Sequence, residues 1–548
     1  MSVAEVASEC ESAPEQARVA FVGAGPGDAG LLTLRAVELL AQARAVVVDA
    51  RTPMLASGVL ERWCQLDVDV IETLAHGAAR TTEDFLKERA RQLIDAVQAA
   101  PGGLVVRLMD GDPAVFGGLT EEAMACTLAG VPFEVVPGVS RVTAIPTYAG
   151  VPLTSTSSTG VHVLSAHQHS EDLSHLIDPQ LTVVVLGEAE LVTATLAQLR
   201  AAGRDRETPV AVTERGTSVE QRTTTTTLAA VARSLRNVSG ETLAVVGAAV
   251  ELREHLSWFE TKALFGWRVL VPRTKDASAP MVDQLRVLGA APTVVPTISV
   301  EPPRTPAQLE RAVRGLVEGR YEWVGFTSVN AVRAIREKLS EIGLDTRAIA
   351  GVRVAAVGGV TAAALTEWGI IPDLVPTHEQ STRGLLEVWP EFDPADDPIN
   401  RVLLPRADIA TDTLVAGLGD LGWEVDDVTA YRTVRAHPPA PHIRDAIKNG
   451  SFDAVLFTSS ATVRNLVGIA GKPHAATIIG CIGPATASTA QDLGIRVDVV
   501  AAQASAPALV EALAEHAVAR AQAVAESGTG VVRPSQRRTG GRRRTFAG

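Results

Sequence analysis

Arg268-Val-Leu-Val-Pro-Arg273 returns further along the chain as Arg401-Val-Leu-Leu-Pro-Arg406, and each copy is followed by a Leu-Gly pair, Leu288-Gly289 and Leu421-Gly422. Two more blocks repeat in the same order. Phe326-Thr-Ser-x-x-x-Val-Arg333 recurs as Phe457-Thr-Ser-x-x-x-Val-Arg464, and Gly358-x-x-Thr361-Ala362 as Gly483-x-x-Thr486-Ala487, each of the latter with a Gly-Ile downstream. Matched blocks in one order imply a duplicated supersecondary unit. Each block is a short apolar run, then a turn, then a helical pattern, so the units are α/β.

The same alternation runs back through the first half, with strand-like runs at Val19–Val22, Ala45–Val48, Leu104–Leu108, Thr182–Leu186, Val210–Val212 and Leu243–Val246. It predicts parallel sheets covered by helices. At 548 residues the chain is too long for one core,. Hydrophobic residues at 46% and charged residues at 21% fit a globular protein, and a net charge of −13 gives no general attraction for nucleic acid,. Cys10, Cys64, Cys126 and Cys481 are scattered, which excludes a disulfide framework and a zinc motif,. The first residues lack a signal-peptide pattern and the apolar runs are strand-length, so a cytoplasmic chain without a membrane partner is expected. The acidic residues 1–17 and the basic stretch 525–548 carry no apolar period and are expected to be disordered,.

In the repeated blocks, Thr327, Ser328, Thr458 and Ser459 stand where a strand ends and a helix begins. A hydroxyl there caps the helix, and free amides point outward. Gly358, Thr361, Gly483 and Thr486 repeat the arrangement. Helix N-termini favour carboxylates, and ligands of open α/β sheets lie beyond the carboxyl ends of the strands. Together with Arg273 and Arg406, these residues form a candidate binding set for a substrate rich in carboxylates.

Residues 267–518, with both Phe-Thr-Ser blocks and Thr429-Ala-Tyr431-Arg-Thr433, resemble uroporphyrinogen-III synthase. The resemblance implies a cofactor-free enzyme that closes linear hydroxymethylbilane into a macrocycle while inverting its last ring through a spiro intermediate. It places Tyr431 where the substrate hydroxyl leaves. It also implies two lobes, one of about 267–300 plus 434–518 and the other of about 301–433.

In the first half, Val22-Gly23-Ala-Gly25-Pro26-Gly27-Asp28 follows a strand and precedes the helical run Leu31–Ala43. A dinucleotide fingerprint needs glycine where Asp28 stands, and Pro26 removes an amide from the turn. The string instead resembles the tetrapyrrole (uroporphyrinogen-III) methylases. Asp49, Arg107-Leu-Met-Asp110-Gly111-Asp112-Pro113, Val136-Pro-Gly138-Val, Tyr148-Ala-Gly150-Val-Pro-Leu153 and Glu214-Arg-Gly216-Thr217 agree with it, over residues 18–260. The resemblance implies a two-subdomain α/β module. It implies S-adenosylmethionine held by Pro26, Asp110, Gly111, Asp112, Val115, Ser140, Arg141, Leu186 and Gly216, with Asp49 as the base. It further implies double methylation of uroporphyrinogen III to precorrin-2, the branch point toward sirohaem and cobalamin, and a homodimer through this half.

Three departures stand out. Asp110 occupies a position the family gives to glycine, Val70-Ile-Glu-Thr-Leu-Ala-His76-Gly lacks the family's lysine, and Ser155-Thr156 replaces His-Arg. His76 and Arg80 are the nearest substitutes for the lost cation. The alternative reading is therefore a synthase fused to a methylase-like domain that binds its ligand without turnover.

Overall fold

A computed structural model describes residues 17–49, 59–65, 68–73, 82–167, 172–236, 238–273, 279–408, 412–527 and 533–536. Two compact units are present, Met1–Trp267 with Leu285–Ala291, and Arg268–Gln284 with Pro292–Gly548.

In the amino-terminal unit, β1 (Arg18–Gly23), β2 (Ala45–Asp49), β3 (Asp69–Thr73), β4 (Leu104–Met109) and β5 (Phe133–Val136) form a sheet of order β3-β2-β4-β1-β5. Every pairing in it is parallel. Continuous apolar strands suit such a sheet, because both faces are covered. Ala20, Val22, Val46 and Leu108 pack against Ala36, Leu39 and Leu40 of α1 (Leu34–Gln42). The opposite residues Phe21, Val47, Val105 and Met109 pack against Leu93 and Val97 of α2 (Thr82–Ala99) and Cys126 of α3 (Leu119–Leu128). The expected helix start at Leu31 is corrected. Ala29–Leu31 is a 3-10 turn, and α1 begins after Thr33, whose hydroxyl accepts the Ala36 amide.

The second sheet of this unit comprises β6 (Gly160–Ser165), β7 (Leu181–Glu188), β8 (Pro209–Glu214), β9 (Arg222–Thr227) and β10 (Glu241–Val246), in the order β6-β7-β10-β8-β9. It is mixed, where the alternation predicts a parallel sheet. β10 runs antiparallel to both neighbours and β8 antiparallel to β9. The connection Arg215–Gln221 is too short for the crossover that a parallel pair needs. Between the sheets lies α4 (Arg141–Tyr148), with Val142 and Ile145 packed on Val184, Leu186 and Leu243.

The carboxyl-terminal unit also has two sheets. One contains β11 (Arg268–Pro272), β12 (Ala291–Val295), β18 (Ala454–Phe457), β19 (Ile478–Cys481) and β20 (Val499–Val500), in the order β12-β11-β18-β19-β20. The other contains β13 (Ile298–Glu301), β14 (Trp323–Phe326), β15 (Arg353–Ala356), β16 (Arg401–Ala407) and β17 (Glu424–Arg435), in the order β13-β17-β16-β14-β15. β13 pairs antiparallel with the end of β17, Ile298 opposite Arg435 and Glu301 opposite Arg432. The chain's two passages between the sheets are thus zipped together, and Arg432 Nη2 lies 2.6 Å from Glu301 Oε2. This pairing moves Ile298–Val300 out of the first lobe, where the expected boundary had put them.

The expected tail from residue 525 begins too early. Alanine-rich α9 (Ala506–Glu526), capped by Ser505, carries helix through Glu526, as its composition favours,. Beyond it the Ser535 amide donates to Asp453 Oδ1 at 2.8 Å, while residues 1–16, 528–532 and 537–548 lie outside the described residues. Among the described residues no helix is long and apolar enough to cross a membrane.

Candidate functional sites

Three strand ends of the first sheet meet closely. A Cβ on Gly23 would lie 2.8 Å from the Gly111 carbonyl oxygen, and one on Gly138 would lie 2.7 Å from Gly23 Cα. Only glycine lets the loops after β1, β4 and β5 approach so nearly. Gly111, at φ +66°, exchanges backbone hydrogen bonds with Gly25 at 2.8 and 3.2 Å. Asp112 holds the remaining strand: Oδ1 accepts from Ala114 N at 2.9 Å and Oδ2 from Gly138 N at 3.1 Å. Pro26, Gly111, Asp112 and Ser140, which caps α4 through Val142 N, are therefore brought into one loop cluster. Arg141 joins it, with a Gly111 Cβ position 3.1 Å from its Cγ, and its guanidinium pairs with Glu241 at 2.6 Å.

The left-handed backbone of non-glycine residues falls around the same place. Among the described residues, Phe116 (φ 56°), beside half-exposed Val115, and Arg215 and Thr217 (φ 49° and 63°), on either side of Gly216, are the non-glycine residues with positive φ. Such conformations persist where surrounding contacts impose them, and they cluster at ligand sites. Thr217 is imposed on twice: its amide donates to Gln221 Oε1 at 2.7 Å, and its Oγ1 accepts from Asp28 N at 3.2 Å. Asp28 Oδ2 in turn accepts from the Tyr148 hydroxyl at 2.9 Å, and burial with this carboxylate beside it raises the phenol above its ordinary range. Gly216 reaches the cluster by abutting Ile145 of α4. Leu186, nearly buried, packs under the same helix.

Asp49, at the end of β2, is held by charge. Its Oδ1 accepts from Thr73 Oγ1 and from Arg107 Nη2, both at 2.8 Å, with Arg89 Nε at 3.5 Å. Burial pushes this carboxyl up, but Arg107 and Arg89, with the Thr73 and Arg107 hydrogen bonds, hold it below the usual carboxylate range. Behind Arg107 and Arg89 stands Glu122, fully buried, 2.7 Å from Arg107 Nε and 2.6 Å from Arg89 Nη2. Sequence reasoning missed Arg89, Arg107 in this role, and Glu122. The signal was an arginine in the middle of the otherwise apolar strand Leu104–Met109, which demands a buried counter-charge. His76 and Arg80 lie outside the described residues.

In the carboxyl-terminal unit, Tyr431 is nearly buried on β17, and its hydroxyl lies 2.9 Å from Ser328 Oγ. The register of β16 against β17 slips between Arg406 and Ala407, so that Arg406 faces Thr429 and Ala407 faces Tyr431. A bulge of this kind re-aims a side chain. Ser328 caps α5 (Val329–Glu341) by accepting the Ala331 amide at 3.2 Å. With one lone pair so used, its own proton can point to the Tyr431 oxygen, leaving the phenol proton free to donate.

The repeats are not equivalent. Arg406, expected from sequence to bind substrate, is nearly buried, and its guanidinium is engaged by Asp427 in a two-pronged pair. Arg273 is half-buried, its pKa lowered by burial, and among the described residues no carboxylate pairs with it. Counted from the shared Leu-Gly, Asp427 falls opposite Val294, which explains the difference. Gly358 and Gly359 open α6 (Gly359–Glu367), whose first amide is covered by Gln380 Oε1 at 3.0 Å. Gly483, before α8 (Pro484–Asp492), has open space around its Cβ position. Ser459 is spent in a reciprocal capping box with Thr462 of α7 (Ser460–Ala470), whereas Ser328 reaches Tyr431. Thr361 and Thr486 are buried, and Thr327 and Thr458 are half-buried beside the caps. Of the set, Arg273 and Gly483 on the β11–β18–β19 side, and the nearly buried Tyr431 of β17 with Ser328 at the start of α5, are thus not tied, among the described residues, to a carboxylate or a capping box.

Comparison with known proteins agrees with both architectures. Residues 18–232 match the model of the Tetrapyrrole (Corrin/Porphyrin) Methylases, and residues 279–511 that of Uroporphyrinogen-III synthase HemD. A porphyrin biosynthesis protein HemD of Ruminiclostridium josui is 31% identical over 510 residues, 91% of this chain and 98% of that protein. Siroheme synthase 1 of Klebsiella pneumoniae is 37% identical over 251 residues, 45% of this chain and 52% of its own, so the chain spans about half of that relative. A solved uroporphyrin-III C-methyl transferase of Thermus thermophilus, complexed with S-adenyl homocysteine, is 32% identical over 43% of this chain and 94% of its own, with a TM-score of 0.36. The two α/β modules are those of a tetrapyrrole enzyme. The chain belongs to the family in which a tetrapyrrole methylase domain is joined to a uroporphyrinogen-III synthase domain.

Proposed function

We propose that the carboxyl-terminal unit cyclises hydroxymethylbilane to uroporphyrinogen III with inversion of the last ring, and that the amino-terminal unit methylates that product twice to precorrin-2. The observation that carries this reading is that each unit holds a polar side chain where its parallel strands end: Asp49 at the end of β2, one strand from the glycine loops, and Tyr431 on Ser328, opposite the last residue of β16. The close packing of the Gly23, Gly111 and Gly138 loops, where a Cβ would strike backbone, gathers Pro26, Asp112 and Ser140 into one cluster, and that cluster fits S-adenosylmethionine, with Gly216 behind α4. That group supplies a methyl cation equivalent, the carbon–sulfur bond breaking as a carbon–carbon bond forms from the pyrrole π pair.

In the synthase unit, Tyr431 donates to the departing hydroxyl while Ser328 steadies the phenol oxygen, and Arg273 takes a side-chain carboxylate of the bilane. Supplying the full chain with hydroxymethylbilane, with and without S-adenosylmethionine, and separating the products tests the whole reading. Type I isomer alone overturns the synthase assignment; unmethylated type III product in the presence of S-adenosylmethionine overturns the methylase assignment and favours binding without turnover.

Tyr431→Phe should slow ring closure about thirtyfold, the equivalent of roughly 2 kcal/mol of hydrogen bonding in the transition state. Methylation of added uroporphyrinogen III should be unchanged. The two arginines of the repeat should separate. Arg273→Ala should raise the KM for hydroxymethylbilane about tenfold by removing one charged hydrogen bond. Arg406→Ala, which strands Asp427, should lower thermal stability and leave that KM near the wild-type value.

A further inference from the structure

A carboxylate that serves as a base keeps its basicity close to the working pH. Asp49 is built the other way. Arg107 comes to it from β4 and Arg89 from α2, Thr73 donates from β3, and Glu122 of α3 stands behind both guanidinium groups. All five N–H bonds of Arg107 have an acceptor: Glu122 takes Nε at 2.7 Å and Nη2 at 3.2 Å, Asp49 takes Nη2 at 2.8 Å, and Nη1 meets the carbonyls of Leu108 and Val47 at 2.9 and 3.4 Å. The quartet holds two cations and two anions and is neutral as a whole. Among the described residues the Thr73, Arg107 and Arg89 contacts of the Asp49 carboxylate all fall on Oδ1, and the side chain is 29% exposed. Arg89 also ties the quartet to the loop after β4, through the Gly117 carbonyl at 3.3 Å.

Resting on the methylase reading, we infer that Asp49 acts as a fixed anion beside the positive charge that the macrocycle gains on methylation, and not as the base. Arg107, Arg89 and Glu122 are the positioning residues that hold it there. The balance is simple. The pyrrole π pair becomes the new carbon–carbon bond, the ring carries one positive charge, and that charge is lost when one ring proton passes to solvent water. A preorganised charge that needs no rearrangement stabilises such a cation. A carboxylate held below its usual range by two buried guanidinium groups stays charged across the working pH, and it is a poor proton acceptor for the same reason.

The test uses the full chain with uroporphyrinogen III and S-adenosylmethionine. Asp49→Asn should lower kcat about fiftyfold, with the affinity for S-adenosylhomocysteine, read by calorimetry, unchanged. The wild-type rate should show no break from pH 5.5 to 8.5 that vanishes in Asp49→Asn. Small carboxylates should restore Asp49→Ala, while imidazole should not. The paired variant Arg89→Met with Glu122→Gln keeps the cluster neutral, so it guards against misfolding. It should move the Asp49 carboxyl resonance, followed by ¹³C NMR, to a higher titration midpoint and bring a low-pH fall in rate that a merely structural defect would not create. Rescue of Asp49→Ala that rises with the pKa of added amines, or an unmoved carboxyl titration in the paired variant, overturns the proposal alone. A wild-type chain that binds S-adenosylhomocysteine and transfers no methyl group overturns the methylase reading and this proposal with it.

Discussion

Glu122→Gln should destabilise the amino-terminal unit by about 4 kcal/mol, the usual cost of removing one partner from a buried ion pair. The change is nearly isosteric, so packing is not at issue. Glu122 is fully buried and is the carboxylate shared by Arg107 and Arg89. Glutamine leaves two guanidinium groups facing Asp49 alone, one buried charge in excess. For a unit of this size the thermal transition should fall by about 10 °C, read by calorimetry or by loss of S-adenosylhomocysteine binding on heating. Adding Arg89→Met should recover part of the loss, because neutrality returns. A single variant within about 1 kcal/mol of wild type would show that the quartet relaxes or hydrates. The pH dependence follows from Asp49. Its folded pKa is lowered, so its contribution is complete above the ordinary carboxylate range and disappears as the pH falls through the lowered value,. Mild acid near pH 5 should therefore leave the unit's stability intact.

The strands of this chain were legible because apolar runs in buried parallel sheets have no competing signal; Val19–Val22 and Leu104–Leu108 lie inside β1 and β4. The second sheet's mixed direction was not. Direction depends on what a connection can span, and the seven residues Arg215–Gln221 say more about it than the strands do. Site residues fixed by local backbone, such as Gly111 and the Ser328 cap, could be read from motif spacing. Those fixed by distant partners could not. Nothing in Arg401-Val-Leu-Leu-Pro-Arg406 announces Asp427, and the duplication itself misled by suggesting equal roles for Arg273 and Arg406. Asp49 was found by its motif, yet its chemistry is set by Arg89, Arg107 and Glu122, which converge from three other elements.

Gly138→Ala should abolish binding in the amino-terminal unit without unfolding it, and this is the sharpest test of the cradle. The new methyl carbon would sit 2.7 Å from Gly23 Cα and nearer still to the Gly111 carbonyl oxygen, both backbone atoms. Neither can retreat cheaply, since Gly23 ends β1, paired on both sides by β4 and β5, and Gly111 is bonded back to Gly25. The loop after β5 must move instead, breaking the Gly138 amide's contact with Asp112 Oδ2 and shifting Ser140 at the start of α4. Overpacking of this kind costs roughly 3 kcal/mol, which, charged against the bound geometry, weakens S-adenosylhomocysteine by more than about a hundredfold. β5 is an edge strand, so the sheet can tolerate the displacement and the thermal transition should move little. Calorimetric titration gives the affinity, and hydroxymethylbilane cyclisation by the same variant should run at the wild-type rate. Unchanged affinity would show that the ligand does not rest on these three loops.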